Sequence, residues 1–92
     1  MSPSSATSVP RLPRGVRLHR DLRRERWMLL APERAFEIDD VAAAVVTLCD
    51  GTRSVAAIVA ALAERYAADP AEITADVCAM LDDLAAKRVL DR

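Results

Sequence analysis

The chain has 92 residues, is 52% hydrophobic but only 3% aromatic, and balances 13 basic against 14 acidic side chains for a net charge of −1. That length holds one small domain with a thin, alanine-diluted core of marginal stability. Two glycines, one histidine and two cysteines are poor material for a phosphate loop or a zinc cage.

The first thirteen residues, Met1 to Pro13, are rich in Ser and Pro and have no apolar period. They read as a flexible tail that buries little, so the folded domain is expected over residues 14–92. Val16-Arg17-Leu18-His19 alternates apolar and polar, as a half-buried strand does. Asp21 to Arg26 is almost wholly charged and reads as a loop. Trp27 to Leu30 is a continuous apolar run and reads as a central strand. Ala31-Pro32-Glu33-Arg34 breaks it, with Pro32 suited to the second position of a turn. Ala35-Phe36-Glu37-Ile38 alternates again and reads as the returning strand.

Asp39 or Asp40 can cap a first helix whose apolar face is Val41, Ala42, Val45, Leu48 and Cys49. That helix is expected to end at Asp50-Gly51, with Gly51 free to take the left-handed conformation. Ser54 can cap a second helix to about Tyr66, with Val55, Ile58, Val59, Leu62 and Tyr66 on its apolar face. Asp69-Pro70-Ala71-Glu72 places a capping acid, a first-turn proline and a reciprocal acid ahead of a third helix. Its stripe is Ile73, Val77, Met80, Leu81 and Leu84, and Val89-Leu90 are expected to pack back on the core. Three short strands followed by three helices make an α+β domain of winged-helix-like form, with a three-stranded antiparallel sheet.

The near-neutral total hides an asymmetry. Residues 1–34 hold eight Arg against Asp21, Glu25 and Glu33, a balance of +5, while residues 35–92 hold five basic and eleven acidic side chains, a balance of −6. Such a field can orient a partner, although the plainer reading is an ordinary solvated surface. No signal-peptide pattern is present, and the longest strictly apolar run, Val55 to Ala63, is too short to cross a bilayer. A reducing, cytoplasmic setting without membrane attachment is expected. Cys49 and Cys78 read as buried thiols, since free cysteine behaves as a small hydrophobe.

Catalysis by this chain alone is not expected. His19 sits on the outward side of its strand. The neighbouring acids Asp39-Asp40 and Asp82-Asp83 diverge by about 100° on a helix and do not face each other. They read as a cap and as solvated surface. Nothing suggests a metal, a nucleophile with its base, or a cofactor cradle. The rival to a protein-binding role is nucleic acid. A winged helix commonly reads DNA with its last helix, but here that helix carries Glu72, Asp76, Asp82 and Asp83, which phosphate repels. A peptide-binding edge fits better. If the strands form a meander, the third strand, Arg34 to Ile38, has one unpaired side that can accept an incoming strand. Each backbone bond then contributes only ~1 kcal/mol net, so an apolar wall is needed. Val77, Met80, Leu81 and Leu84 can supply it, although most of that stripe must be core.

Arg17-Leu18 with Asp21, Leu29-Leu30-Ala31-Pro32-Glu33, Ile38, Leu48-Cys49-Asp50-Gly51, Val55 and Ile58 together resemble the PqqD family of pyrroloquinoline quinone (PQQ) biosynthesis. The resemblance covers about residues 11–91. It implies a precursor-recognition domain of a ribosomal peptide pathway, with a precursor peptide, PqqA, bound as a strand added to the third strand beside the third helix. It further implies delivery of PqqA to the radical S-adenosylmethionine enzyme PqqE, with no cofactor and no chemistry of its own. Carried onto this chain, the groove comprises Arg34, Ala35, Phe36, Glu37 and Ile38 on the strand, and Val77, Met80, Leu81 and Leu84 on the helix. One departure is Lys87-Arg88, where related domains often have a glycine at the end of the third helix.

Overall fold

The computed structural model describes residues 7–92. Three strands come first: β1 (Arg17–Asp21), β2 (Arg26–Ala31) and β3 (Arg34–Ile38). They form an antiparallel sheet in the order β1-β2-β3, so the central strand is the apolar Trp27 to Leu30 run. The β1–β2 hairpin turns at Asp21, whose carboxylate accepts from the backbone N–H groups of Arg23 and Arg24 at 3.1 and 3.2 Å. The β2–β3 hairpin pairs Ala31 with Arg34 across a two-residue turn. Pro32 followed by Glu33 at φ 61° is the type II pattern.

Three helices follow: α1 (Asp40–Leu48), α2 (Val55–Arg65) and α3 (Pro70–Ala86). Each has the cap expected of it. The side chains of Asp39, Ser54 and Asp69 accept from the N–H groups of Ala42, Ala57 and Ala71 at 2.7, 3.1 and 2.9 Å. Leu29 from the sheet meets Val45 and Val46 of α1, Ile58 and Leu62 of α2, and Val77, Leu81 and Leu84 of α3 in one buried cluster. Val89 and Leu90 close it, as expected of a C-terminal segment folded back on the core. The architecture is the α+β sheet-then-helices arrangement anticipated from the order of the elements.

Two expectations need correction. The N-terminal segment was expected to bury little as far as residue 13. Residues 1–6 lie outside the described residues, but from Ser8 onward the chain is bonded to the domain. The Ser8 and Pro10 carbonyls accept from Val55 and Gly51 at 2.9 and 3.2 Å, and Arg11 exchanges two 2.8 Å backbone bonds with Asp91. Pro10 is fully buried. An extended proline-containing segment has unpaired backbone groups to offer, and here they join the α1–α2 turn and the C-terminus. The second correction concerns Gly51. Helix α1 ends earlier, with Cys49 as its C-cap. Gly51 does have φ +81°, but its place is the close approach of the N-terminal segment, where an added Cβ would lie 3.4 Å from Arg11 Cβ.

Helices α2 and α3 both end in Schellman motifs without glycine. Ala67 and Arg88 take the left-handed position at φ 51° and 61°. Ala68 N–H reaches the Ala63 carbonyl at 2.9 Å, and Val89 N–H reaches that of Leu84 at 3.1 Å. Arg88 thus occupies the position where a glycine would be unstrained. A residue with a Cβ costs about 1 kcal/mol there. Ala67→Gly is therefore expected to raise stability by about 0.5–1 kcal/mol and the melting temperature by a few degrees. Thermal denaturation followed by circular dichroism checks it.

Candidate functional site

The pairing register decides which backbone groups of β3 are available. In a two-residue hairpin the pair flanking the turn exchanges both hydrogen bonds, and bonded pairs then alternate along the ladder. With Ala31 opposite Arg34, the register places Arg34, Phe36 and Ile38 in the bonded positions against β2. The N–H and C=O groups of Ala35 and Glu37 therefore point away from the sheet. Both residues are exposed. No further strand is paired to β3 among the described residues.

That edge opens onto a groove of about 470 Å³. Ala35, Phe36, Glu37 and Ile38 form one wall, Met80, Asp83, Leu84 and Lys87 of α3 the other, and Asp39 and Ala42 the floor at the start of α1. One end is closed by Arg34, whose Nη1 donates to the Lys87 carbonyl at 2.7 Å. A cation at a helix C-terminus is also favoured by the helix dipole. Phe36 lies between two cations at this end, with Arg34 Cζ 5.5 Å and Lys87 Nζ 5.7 Å from its ring centroid. Lys87 Nζ also contacts Asp83 Oδ2 at 2.8 Å. The groove thus has a guanidinium-capped end at Arg34 and an acidic end at Asp39.

The nine residues anticipated for the site divide clearly. Ala35, Phe36, Glu37, Ile38, Met80 and Leu84 line the groove, and Arg34 braces its end. Val77 and Leu81 do not reach it; they are 4% and 0% exposed and belong to the core. The apolar stripe marks the seam that α3 buries, whereas the groove runs along one border of that seam, where polar side chains take over. Asp83 and Lys87 were missed for this reason, and Asp39 and Ala42 because the order of the elements does not show that the start of α1 closes the floor. The spacing of Met80, Asp83, Leu84 and Lys87 at three and four residues was the available signal.

The most specific sequence element, Leu48-Cys49-Asp50-Gly51, serves the fold. The Asp50 carboxylate accepts from Thr52 Oγ1 and N at 2.6 and 3.0 Å and from Arg53 Nη1 at 2.6 Å. The Thr52 hydroxyl chiefly holds it below the usual carboxylate range. A separate recess of about 380 Å³ lies beside it, lined by Arg11, Leu12, Val46, Thr47, Cys49 and Asp50. Cys49 donates its thiol to the Val45 carbonyl at 3.2 Å. Burial, helped by Asp50, pushes this thiol from 9.0 up to about 12. A thiol that keeps its proton is a poor nucleophile. The native protein holds that proton more tightly than the unfolded chain. Stability on this account is full below pH 9.0 and declines as pH rises toward about 12. Urea denaturation at pH 7, 9 and 10.5 should show the fall beginning only above pH 9, and alkylation of Cys49 should await unfolding.

His19 is exposed on β1, as its strand position implied. Among the described residues no group of three His, Cys, Asp or Glu is placed to hold a metal ion. No described helix is long and apolar enough to cross a membrane.

The family model described as "Coenzyme PQQ synthesis protein D (PqqD)" matches residues 26–90. The chain belongs to the PqqD family. A "PqqA binding protein" of Rhodopseudomonas palustris is 57% identical over 86 residues, which is 94% of this chain and 84% of the relative. The solution structure of the PqqD truncation of Methylobacterium extorquens PqqCD superimposes with a TM-score of 0.85 at 53% identity and covers 100% of both chains. That truncation is described as a functional, stand-alone recognition element for ribosomally synthesised, modified peptides. The crystal structure of PqqD from Xanthomonas campestris has a TM-score of 0.61 at 45% identity, covering 96% of this chain and 98% of its own. The PqqD fold and the place of the family in PQQ synthesis agree with the resemblance read from the sequence.

Proposed function

We propose that this protein is the precursor-recognition module of PQQ biosynthesis. It binds the PqqA peptide as a fourth strand on β3 and presents it to the radical S-adenosylmethionine enzyme PqqE. The observation that carries this reading is the exposed β3 edge facing the α3 wall across an open groove. The name of the Rhodopseudomonas relative supports PqqA as the peptide.

The groove supplies two things a strand-adding peptide needs. Ala35 and Glu37 offer unpaired backbone donors and acceptors that fix register. The half-buried Phe36, Ile38 and Met80 offer apolar surface for side chains that point into the groove, with the buried Leu84 behind them. Backbone bonds at ~1 kcal/mol net give specificity of geometry, and the apolar contacts give most of the affinity. The protein contributes no reacting group. Its effect on PqqE is local concentration, which tethering can bring to the millimolar range. It acts in the cytoplasm and does not engage nucleic acid, because α3 presents Glu72, Asp76 and Asp83 where a recognition helix needs cations.

Calorimetric titration with synthetic PqqA is expected to give low-micromolar binding or tighter, about −8 kcal/mol. Amide shifts should centre on Arg34 to Ile38, with the hairpin loop from Asp21 to Arg26 quiet. Absence of binding at hundreds of micromolar to folded protein refutes the assignment. So does a DNA complex that is sequence-specific and survives ~0.15 M salt.

A further inference from the structure

The groove is not the whole of the surface along this side of α3. Its line of residues, Met80, Asp83, Leu84 and Lys87, continues toward the helix N-terminus through Asp76 and Ile73 at the same three- and four-residue spacing, with the buried Val77 beneath. Beyond Met80 the opposite wall changes from β3 to the helices. There α3 faces Val41 at the start of α1 and Tyr66 at the end of α2 across a recess of about 90 Å³. Val41 and Tyr66 are 49% and 45% exposed, two of the four large hydrophobic residues most open to water among the described residues. Met80 lines both the groove and the recess, so the two are one continuous surface.

We propose that this recess is a second subsite for the same precursor peptide, and that it takes one aliphatic side chain from the segment running past Ile38. The proposal rests on the strand-addition reading and extends it. From Ile73 to Lys87 the track is about 20 Å long at 1.5 Å per helical residue, which an extended peptide of about six residues covers. A peptide paired with β3 that keeps its direction leaves the sheet at Ile38 and enters the space between α1 and α3.

The size of the recess selects the occupant. Apolar cavities of roughly 150 Å³ accept a benzene ring, so about 90 Å³ suits an aliphatic side chain or the tip of a larger one. A second copy of this chain would need a contiguous surface nearer ~800 Å² per partner. Met80, with three flexible torsions, can adjust the boundary between the subsites to the peptide that binds.

Val41→Asp tests the subsite. Position 41 lies in the first turn of α1, where an acid is favoured by the helix dipole, so the variant keeps its fold. The measurement is a titration of the full chain with synthetic PqqA, reading backbone amides of β3 and the methyl groups of Val41, Ile73 and Met80. Wild type is expected to show shifts at both places. Val41→Asp is expected to keep the β3 shifts and to bind about tenfold more weakly, the size of losing one buried aliphatic contact. A loss under threefold, or wild-type β3 amides that shift while Val41 and Ile73 methyls do not, overturns the subsite and leaves strand addition standing. Silence at β3 removes the strand-addition reading, and the subsite with it. Sedimentation of both proteins completes the test: a wild-type dimer that Val41→Asp dissociates, with PqqA affinity unchanged, assigns the recess to a second copy instead.

Discussion

Ala35→Pro is expected to weaken PqqA binding by about tenfold or more while the free protein stays folded. Register sets the effect. With Ala31 paired to Arg34, the Ala35 N–H points away from β2. A proline at 35 removes that donor and places a ring where an incoming strand must lie, yet takes nothing from the β2–β3 ladder. Loss of one intermolecular bond at ~1 kcal/mol, together with the steric displacement of its neighbours, gives the tenfold figure. Phe36→Pro is the informative contrast. The Phe36 N–H belongs to the ladder with Leu29, and its ring packs on the core between Arg34 and Lys87. That variant should lose stability as well as binding, so it cannot separate the two. Calorimetry with PqqA alongside thermal melts of each free variant checks the pair. If Ala35→Pro binds like wild type, the edge of β3 is not where the peptide docks.

The fold was largely legible because its punctuation is local. Asp39, Ser54 and the Asp69-Pro70 pair announce three helix starts through chemistry confined to four residues each. Pro32 announces the hairpin. The N-terminal segment was misjudged because its order comes from distant partners, Val55, Gly51 and Asp91, which no short window contains. The site was legible on one side only. A strand edge follows from strand order, so β3 could be named from sequence. The helical wall depends on the angle at which α3 settles on α1, α2 and the sheet. A rotation of one residue position, about 100°, exchanges Leu81 for Met80 at the groove. An apolar stripe also reports what a helix buries, and the groove residues Asp83 and Lys87 are by that measure invisible. The Lys87-Arg88 departure from a glycine ending is absorbed by Arg88 adopting the left-handed conformation itself, with Val89 still delivered to the core.

The adjacent residues Met80 and Leu81 should therefore separate binding from stability. Leu81 is fully buried at the junction of the sheet and helices. Leu81→Ala removes three carbons and leaves a cavity, at a cost of about 3 kcal/mol. For a domain this small that corresponds to a fall of roughly 15 °C or more in melting temperature. Where the variant is still folded, its affinity for PqqA should stay within about threefold of wild type, since the side chain touches no groove surface. Leu81→Met, nearly conserving volume, keeps the protein folded at the calorimetry temperature should the alanine variant prove too unstable. Met80 is only half-buried and lines both the groove and the recess beyond it. Met80→Ala should cost about 1 kcal/mol or less in stability, because much of its side chain already faces solvent. It should weaken PqqA binding by about tenfold, because both subsites lose a wall. Thermal melts and low-temperature calorimetry on the two variants read the contrast directly. A Leu81 variant that keeps its melting temperature but loses the peptide would mean that α3 is rotated in solution, bringing Leu81 and Val77 into the groove in place of Met80 and Asp83.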